Sequence, residues 1–299
     1  MAELDREWLV LSVEIPDPEL GGLIAEGLIE YGGTAVAQEG ERLTTYIRAP
    51  LDPDRLVDEV TRHLHDLLPG HQFEVEVGWQ EDEDWEERWR RGLQPRRMGE
   101  RLLVTPSWIE PELRPGDLLI VIDPEMAFGS GEHATTRGAL RALESLIRPG
   151  DRVLDVGTGS GILSIAAAHL GAKEILAVES DPDAIENAHD NLVRNGVEDR
   201  VDLVHGLVDD EFLSLYGPGH FDLIVANILS SVLTPLLPAF SAALLPRGDQ
   251  GDRGRLILGG ILDHEAEDLI SAAQANGFEL LVEDLEEEWW GGSFARIEG

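Results

Sequence analysis

The sequence predicts an α/β protein in which a large, mainly parallel sheet follows a smaller α+β domain. Strand-like apolar runs alternate with helix-like runs over residues 153–276. A glycine-rich turn joins the first of these strands to the first helix, an arrangement that favours ligand binding at the sheet edge. Residues 8–79 differ, because they carry four strand-like runs and only two amphipathic helical runs.

The composition limits the class of protein. The chain has 299 residues, of which 42% are hydrophobic, so its length suggests one to two domains with a sizeable core. It has no cysteine, which excludes disulfides, cysteine-ligated metals and cysteine nucleophiles. No apolar run approaches transmembrane length, and the acidic N-terminus does not resemble a signal peptide. We therefore expect a cytoplasmic protein that does not bind membranes.

The formal net charge is −36, and Lys173 is the only lysine. Such an acid-rich surface is typical of proteins from salt-loving organisms, where high ionic strength screens self-repulsion. The alternative is an acidic face for a basic partner. We favour the salt interpretation because the charge is spread along the chain. Either way, direct nucleic-acid binding is disfavoured, because binding to phosphates depends on Lys and Arg.

Residues 1–79 are predicted to form a separate domain. The predicted strands and helices follow the order β-α-β-β-α-β, which is the ferredoxin-like pattern. They cover residues 8–15, 18–31, 34–37, 43–47, 54–68 and 73–79. The sequence of this domain shows no set of residues typical of a catalytic site. Its histidines His63, His65 and His71 lie on a polar helix face and in a turn, so we predict no metal site.

Residues 80–98 are predicted to form a helical linker between the domains. Trp85 and Trp89 are four residues apart, which puts both on one helical face. We expect this aromatic face to dock on a domain. A nucleic-acid stacking platform is disfavoured because so many carboxylates surround it.

Residues 99–299 are predicted to form a Rossmann-like domain. A strand pair at residues 101–108 and 118–122 leads into it, and a glycine-rich loop covers residues 123–136. Further strands are predicted at residues 153–156, 174–178, 201–204, 221–226, 255–258, 279–283 and 293–297. Helices are predicted at residues 138–147, 183–194, 232–245 and 264–276, with another directly after the glycine-rich turn. Because no helix separates the last two strands, we expect an antiparallel partner at one edge of the sheet.

The glycine-rich turn after the first strand has the spacing G-x-G-x-G, formed by Gly157, Gly159 and Gly161. The dinucleotide pattern would need a third glycine at position 162, where this chain has isoleucine. With Asp155 two residues before it, the turn resembles the S-adenosylmethionine loop of class I methyltransferases. The next strand ends in Glu179, which is placed to accept hydrogen bonds from ribose hydroxyls. The alternative is an ordinary glycine-rich turn with a surface acid.

The second glycine-rich loop precedes the first strand of the parallel sheet. We expect it to lie over the carboxyl edge, where open α/β sheets bind ligands. Thr135 and Thr136 lie at the start of the following helix, where hydroxyls can cap amides or reach a ligand. The alternative is a long loop with a helix cap.

Asn227 directly follows an apolar strand, and its amide oxygen could accept a hydrogen bond from an amine nucleophile. The amine must be neutral to react. At pH 7, deprotonation costs about 4–5 kcal/mol for lysine and about 1 kcal/mol for an α-amine. A site with amide and carbonyl acceptors suits amines that lose their proton to water. His133 is the nearest candidate base, and we interpret it as structural. The alternative for Asn227 is a turn residue at the strand end.

Four stretches together resemble the ribosomal protein L11 methyltransferase family. They are residues 123–136 with the sequence Asp-Pro…Ala-Phe-Gly-Ser-Gly-Glu-His-Ala-Thr-Thr, the loop at residues 155–163, Ala-Asn-Ile-Leu at 226–229, and residues 289–299. The resemblance covers the whole chain and implies a class I methyltransferase sheet. It implies S-adenosylmethionine-dependent methylation of ribosomal protein L11 on lysine side chains and the N-terminal amine, with substrate recognition by the N-terminal domain.

The resemblance assigns cofactor binding to Thr136, Gly157, Glu179 and Asn227. We extend the predicted cofactor set to Phe128, Asp155, Gly159 and Gly161, and we predict Asn227 as the catalytic residue. Ala134 stands where the family often has proline, Ser130 and Glu132 stand where it often has threonine, and Glu179 replaces a common aspartate. These departures are compatible with cofactor binding.

Other functions stay open. The enzyme could methylate another protein lysine or a small-molecule amine. A non-catalytic S-adenosylmethionine- or nucleotide-binding regulator is disfavoured by Asn227 and the loop around Phe128, and an NAD-dependent oxidoreductase by Ile162. We expect a monomer whose partner is ribosomal protein L11, free or on the ribosome, with no direct contact to nucleic acid and no bound metal.

Overall fold

The structure is a computed structural model, and it describes residues 7–15, 21–31, 36–39, 42–48, 50, 52–68, 73, 75–81, 93–123, 131, 133–246 and 253–297. The chain divides into two compact units, Met1–Gly92 and Leu93–Gly299. Within the described residues, no helix is long and apolar enough to cross a membrane.

The N-terminal unit has the predicted β-α-β-β-α-β order. Its elements are β1 (Glu7–Glu14), α1 (Gly21–Glu30), β2 (Val36–Glu39), β3 (Arg42–Arg48), α2 (Pro53–Leu67) and β4 (Val75–Glu81). The sheet has the antiparallel order β2-β3-β1-β4, so β3 lies between β1 and β2, as in a split β-α-β fold. Helix α2 begins where Asp52 caps the Arg55 amide and Pro53 supplies the first helical φ. The ferredoxin-like prediction is confirmed.

The second unit contains a three-stranded sheet and a seven-stranded sheet. The small sheet consists of β5 (Arg96–Arg97), β6 (Leu102–Thr105) and β7 (Leu118–Val121). The strands of the large sheet are β8 (Arg152–Val156), β9 (Glu174–Glu179), β10 (Val201–His205), β11 (Leu223–Asn227), β12 (Arg255–Leu262), β13 (Phe278–Glu286) and β14 (Trp289–Arg296). The helices are α3 (Ala134–Leu146), α4 (Ile162–Leu170), α5 (Pro182–Arg194), α6 (Asp210–Ser214), α7 (Ser230–Ala243) and α8 (Ala266–Ala275), with short 3-10 turns at Glu198–Arg200 and Asp263–Glu265.

The large sheet has the order β10-β9-β8-β11-β12-β14-β13. Strands β8 to β12 are parallel, and β14 pairs antiparallel with both β12 and β13. The expected antiparallel partner therefore lies at one edge of the sheet. There β14 lies between β12 and the edge strand β13. From β8 the chain proceeds outward through β9 and β10, then returns to β11 on the other side. The order reverses between β8 and β11, and open α/β sheets bind ligands at such a point.

Alternating side chains of the parallel strands pack on opposite faces of the sheet. Along β11, Leu223 and Val225 join the core under α3 and α4, whereas Ile224 and Ala226 join the core under α7 and α8. Asn227 follows Val225 in this alternation, so the sheet directs it to the α3 side.

Several predicted boundaries were wrong, among them the ends of β6 and β13 and the start of β14, which begins at Trp289 rather than residue 293. Two others were wrong for local reasons. Helix α3 begins at Ala134 rather than residue 138, because the His133 side chain accepts a hydrogen bond from the Thr135 amide and caps the helix. Strand β12 extends to Leu262 instead of ending at residue 258. Its continuation through Gly259 and Gly260, next to a register shift, has no apolar signal in the sequence.

The predicted linker of residues 80–98 falls largely outside the described residues, and so do Trp85 and Trp89. At the N-terminal end of the predicted linker, β4 extends to Glu81. Arg96 and Arg97 form β5, where they pair with Val104 and Leu103 of β6 rather than continuing a helix. The domain limits at residues 79 and 99 stay predictions.

Candidate active site

A cavity of about 550 Å³ opens where the order of the parallel strands reverses. This volume is within the usual range for a small-molecule site. Residues at and just after the carboxyl ends of β8, β9, β10 and β11 contribute to its walls, together with the starts of α3, α4, α7 and β14. The cavity thus lies at the predicted edge of the sheet. Of the predicted site residues, it brings together Thr136, Gly157, Gly159, Glu179 and Asn227.

The first glycine-rich loop needs glycine for two separate reasons. Gly157, Gly159 and Gly161 all have positive φ, at 70°, 55° and 83°. At Gly157 space is limiting as well, because an added Cβ would lie 2.6 Å from Cγ2 of Ile228. Gly157 and Gly159 therefore present bare backbone to the cavity. Gly161 does not line it, and instead begins helix α4.

Asp155 lies beneath this loop and does not line the cavity. It is fully buried, and its Oδ2 accepts hydrogen bonds from Thr158 Oγ1 at 2.6 Å and Ser164 Oγ at 2.7 Å. Burial raises the pKa of its carboxyl to about 6, although the two hydroxyl bonds favour the ionised form. Asp155 thus links the loop to the first turn of α4, and contact with a cofactor stays a prediction.

Glu179 is the last residue of β9 and does line the cavity. Its Oε1 accepts from the amides of Ser180 at 2.8 Å and Asp181 at 3.0 Å, which fix the carboxylate. Its Oε2 accepts from the Gly159 amide at 2.9 Å. A carboxylate oxygen has two lone pairs, so Oε2 can accept a further bond from a ligand in the cavity.

Two buried oxygens on the cavity wall lack hydrogen-bond partners among the described residues. They are Thr136 Oγ1 and Asn227 Oδ1. Thr136 is completely buried at the start of α3. Asn227 pairs with Gly259 across the sheet, and a Cβ added to Gly259 would lie 2.8 Å from Asn227 Oδ1. Because an unsatisfied buried polar group costs about 1–3 kcal/mol, both atoms mark places where a ligand would supply the missing partner.

His133 lines the cavity but its ring is held by its surroundings. Nδ1 lies 2.7 Å from Thr135 Oγ1 and accepts from the Thr135 amide at 3.4 Å. The ring also packs edge-on against Trp289, with centroids 4.8 Å apart. These contacts support the structural role expected for His133, that of a helix cap.

Several cavity residues were missed by the sequence reasoning. Trp289 comes from the hairpin between β13 and β14, while Leu207 and Leu229 follow the ends of β10 and β11. Leu207 and Leu229 are 73% and 64% exposed, so the rim is apolar. For Leu207 and Leu229 the available signal was position, because each lies just beyond a strand, whereas Trp289 is the first residue of β14. Phe128, the remaining predicted cofactor residue, lies outside the described residues.

The described residues contain no group of three or more His, Cys, Asp or Glu side chains placed to hold a metal ion. Of the three histidines considered above, His63 packs against Tyr31 with ring centroids 5.2 Å apart, and His65 packs against Phe73 at 5.8 Å. His71 lies outside the described residues.

Comparison with known proteins gives one consistent result. The profile described as ribosomal protein L11 methyltransferase (PrmA) matches residues 10–296. The ribosomal protein L11 methyltransferase of Chloroflexus aurantiacus is 36% identical over an alignment 321 residues long, which covers 94% of this chain and 96% of that protein. That of Symbiobacterium thermophilum is 43% identical over 212 residues, covering 71% and 65%. The crystal structure of ribosomal protein L11 methylase from Lactobacillus delbrueckii subsp. bulgaricus aligns with a TM-score of 0.59 at 30% identity, covering 68% of this chain and 99% of that one.

Proposed function

Because this chain belongs to the ribosomal protein L11 methyltransferase family, we propose that it methylates lysine side chains and the N-terminal α-amine of ribosomal protein L11. S-adenosylmethionine is the methyl donor. The observation that carries the choice of amines is Asn227 Oδ1, a buried acceptor without a partner among the described residues, on the wall of the cavity. A neutral amine offers the N–H donor that this oxygen lacks.

The residues on the cavity wall fit the cofactor. When bound, S-adenosylmethionine supplies a methyl group activated by its sulfonium charge, so the protein mainly has to hold and align the reactants. Gly157 and Gly159 allow close backbone approach, and Glu179 Oε2 would accept a bond from ribose hydroxyls. We assign Thr136 Oγ1, buried and unpartnered among the described residues, to the cofactor as well.

Asn227 has the catalytic role in this proposal. Its Oδ1 would accept an N–H of the neutral amine and so orient the nitrogen lone pair into the cavity. The sheet fixes this oxygen, because Asn227 is the last residue of β11 and pairs with Gly259. The orientation of the amine therefore needs no rearrangement of the side chain, which is how preorganised acceptors accelerate a reaction.

The amine loses its proton to water rather than to a protein base. His133 is the imidazole on the described part of the cavity wall, and its Nδ1 is occupied by Thr135. Deprotonation at pH 7 costs about 1 kcal/mol for an α-amine and about 4–5 kcal/mol for lysine. We therefore expect the N-terminal amine to react faster than lysines at pH 7, and the lysine rate to rise steeply with pH.

The apolar residues at the rim would pack against the stem of the substrate side chain. Leu207, Leu229 and Val232 are all large, exposed and close to the cavity. They suit the four methylenes of a lysine, and they keep bulk water from the reacting nitrogen. This apolar rim is also compatible with another protein lysine, so the identity of the substrate rests on the family.

The N-terminal unit would recognise the ribosomal protein. This unit has its own core and a four-stranded sheet. We propose that the enzyme acts as a monomer on free or ribosome-associated substrate without touching nucleic acid, for which a chain of net charge −36 is poorly suited.

The test is mass spectrometry of purified ribosomal protein L11 after incubation with the enzyme and S-adenosylmethionine, at low and high KCl. We expect mass increments of whole methyl groups, located by fragmentation on lysines and the N-terminus. Activity only at high salt would support the salt interpretation of the charge. If no increment appears in either buffer while cofactor binding is confirmed separately, this substrate assignment is wrong.

Asn227→Ala is the informative variant. It removes the amide oxygen without adding bulk, so we expect kcat to fall about 100-fold, the usual effect of losing one preorganised polar contact. A normal rate would exclude Asn227 as the residue that orients the amine.

A further inference from the structure

Two asparagines on helix α5 and a third at its C-cap form a polar stripe that faces strand β7. Asn187, Asn191 and Asn195 are four residues apart, so they lie on one side of the helix. Asn187 and Asn191 are buried, and Asn191 is completely inaccessible to solvent. Neutral amides are seldom buried unless they satisfy other polar groups. Their partners therefore indicate what the stripe does.

Asn195 bonds to β7, to its own helix and to the side chain of His169 on α4. Its Oδ1 accepts from the Val121 amide at 2.8 Å, and its Nδ2 donates to the Val121 carbonyl at 2.7 Å. Nδ2 also donates to the carbonyl of Asn191 at 2.7 Å. The side chain extends the pairing of β7 as a neighbouring strand would.

Asn191 instead joins two separate segments. Its Oδ1 accepts from the Asp123 amide at 3.1 Å, just beyond the end of β7. Its Nδ2 donates at 3.0 Å to the carbonyl of Ser160, which lies within the first glycine-rich loop. One completely buried amide thus holds the cofactor loop against the strand that precedes the second glycine-rich loop.

The Asp123 end of this link is firmly held. The Asp123 carboxylate accepts from Ser107, through its amide at 2.8 Å and its hydroxyl at 2.7 Å, and Nη2 of Arg194 lies 3.1 Å from Oδ2. The Asp123 carbonyl accepts from Asn187 Nδ2 at 2.9 Å. Because Ser107, Arg194 and Asn187 hold Asp123 in place, the bond from Asn191 restrains the Ser160 carbonyl relative to a fixed point.

The loop at the other end needs such a restraint. Gly157, Gly159 and Gly161 surround Ser160 with flexible backbone, and glycine loses more conformational freedom on ordering than any other residue. A ligand that binds an already ordered loop avoids that entropic cost.

We propose that Asn191 is a positioning residue that orders the first glycine-rich loop through the Ser160 carbonyl and thereby raises cofactor affinity. The inference rests on cofactor binding at this loop, as proposed above. Asn191 does not line the cavity, so it acts through the loop rather than on the cofactor.

The experiment compares Asn191→Ala with Asn195→Ala in the full chain. Affinity for S-adenosylhomocysteine is measured by calorimetry and stability by thermal unfolding. Both variants remove hydrogen bonds between the α5 side and the β7 segment, but only Asn191→Ala removes the bond to the Ser160 carbonyl. We expect Asn191→Ala to raise Kd at least tenfold, and Asn195→Ala to lower Tm with Kd within twofold of the unaltered chain. Hydrogen exchange without ligand should show faster exchange at residues 157–161 in Asn191→Ala alone.

Asn191→Asp provides a second test should the alanine variant unfold. Its carboxylate can still accept from the Asp123 amide and from Nη1 of Arg194, which lies 2.7 Å from the present Oδ1. It cannot donate to Ser160, so Kd should rise as in Asn191→Ala. The proposal is overturned if the Asn191 variants lose stability while Kd stays within twofold. If the unaltered chain does not bind S-adenosylhomocysteine, the proposed function fails instead.

Discussion

Replacing Gly157 by alanine should weaken cofactor binding through two separable effects. The residue has φ +70°, and a left-handed conformation costs a non-glycine residue about 1–2 kcal/mol. The new Cβ would also lie 2.6 Å from Ile228 Cγ2, and overpacking of this kind costs about 1–3 kcal/mol. The sum is about 2–5 kcal/mol. If the loop moves to relieve half of this cost, about 1–2.5 kcal/mol remains, and affinity for S-adenosylhomocysteine falls roughly 5- to 60-fold at 1.4 kcal/mol per factor of ten.

Gly196→Ala is the matched control. Gly196 has φ +64°, and no atom of the described chain lies within 4 Å of an added Cβ. This variant carries the backbone strain without the clash, and it lies away from the cavity. Calorimetric affinities and Tm values of both variants separate the effects. Adding Ile228→Ala to Gly157→Ala removes the obstructing methyl and should recover part of the affinity. The reasoning is refuted if Gly157→Ala binds as tightly as Gly196→Ala.

Three further predictions use other parts of the site. Glu179→Ala should raise the Kd for S-adenosylhomocysteine at least tenfold, because the ribose hydroxyls lose a charged acceptor and the Gly159 amide loses its partner; unchanged affinity in calorimetry would exclude that role. The pKa of Asp155 is about 6 in the folded state, above its value in the unfolded chain, so the native state binds more protons. The contribution of Asp155 to the free energy of unfolding therefore decreases as pH rises from about 4 to about 6. Urea unfolding should show that Asp155→Asn loses about 2 kcal/mol less unfolding free energy over this range than the unaltered chain, and parallel pH profiles would contradict the assignment. Residues 93–299 alone should bind S-adenosylhomocysteine but leave ribosomal protein L11 unmethylated by mass spectrometry; normal methylation would contradict recognition by the N-terminal unit.

Most of the fold was predictable because most of its elements have a local signal, although β5 and the short helix α6 were not predicted. Periodicity and turn residues located the strands and helices, and the absence of a helix between the last two strands indicated the hairpin. The boundaries of α3 and β12 were not predictable in the same way. His133 is an uncommon cap, and Gly259 and Gly260 give no strand signal although β12 continues through them.

The site was predictable in its first loop and incomplete elsewhere. Gly157, Gly159 and Glu179 carry a spacing that reflects chemistry within one β-α-β unit. Trp289 belongs to the same cavity but comes from a hairpin more than a hundred residues away, and only tertiary packing brings it there. No sequence motif indicates the hydrogen bond from Asn191 to Ser160, because that contact depends on how α5 packs.

Asp155 and Glu179 illustrate why strand-end acids with similar sequence contexts have different roles. Strand β8 ends at Val156, so Asp155 is still inside the strand and shares a face with Val153, under α4. There the carboxylate meets the hydroxyls of Thr158 and Ser164 and is cut off from water. Glu179 is itself the last residue of β9, so its carboxylate extends past the sheet to the cavity.

A shift of one residue relative to the strand end therefore decides between holding the loop and facing the ligand. A sequence locates strand ends only to within a few residues, so it cannot make this distinction. The two roles differ in the ligand-free protein. Replacing Asp155 should loosen the loop and speed hydrogen exchange at the start of α4, where Ser164 donates to it. Replacing Glu179 releases the amides of Gly159, Ser180 and Asp181 and should leave α4 protected, because no described side-chain bond joins Glu179 to that helix.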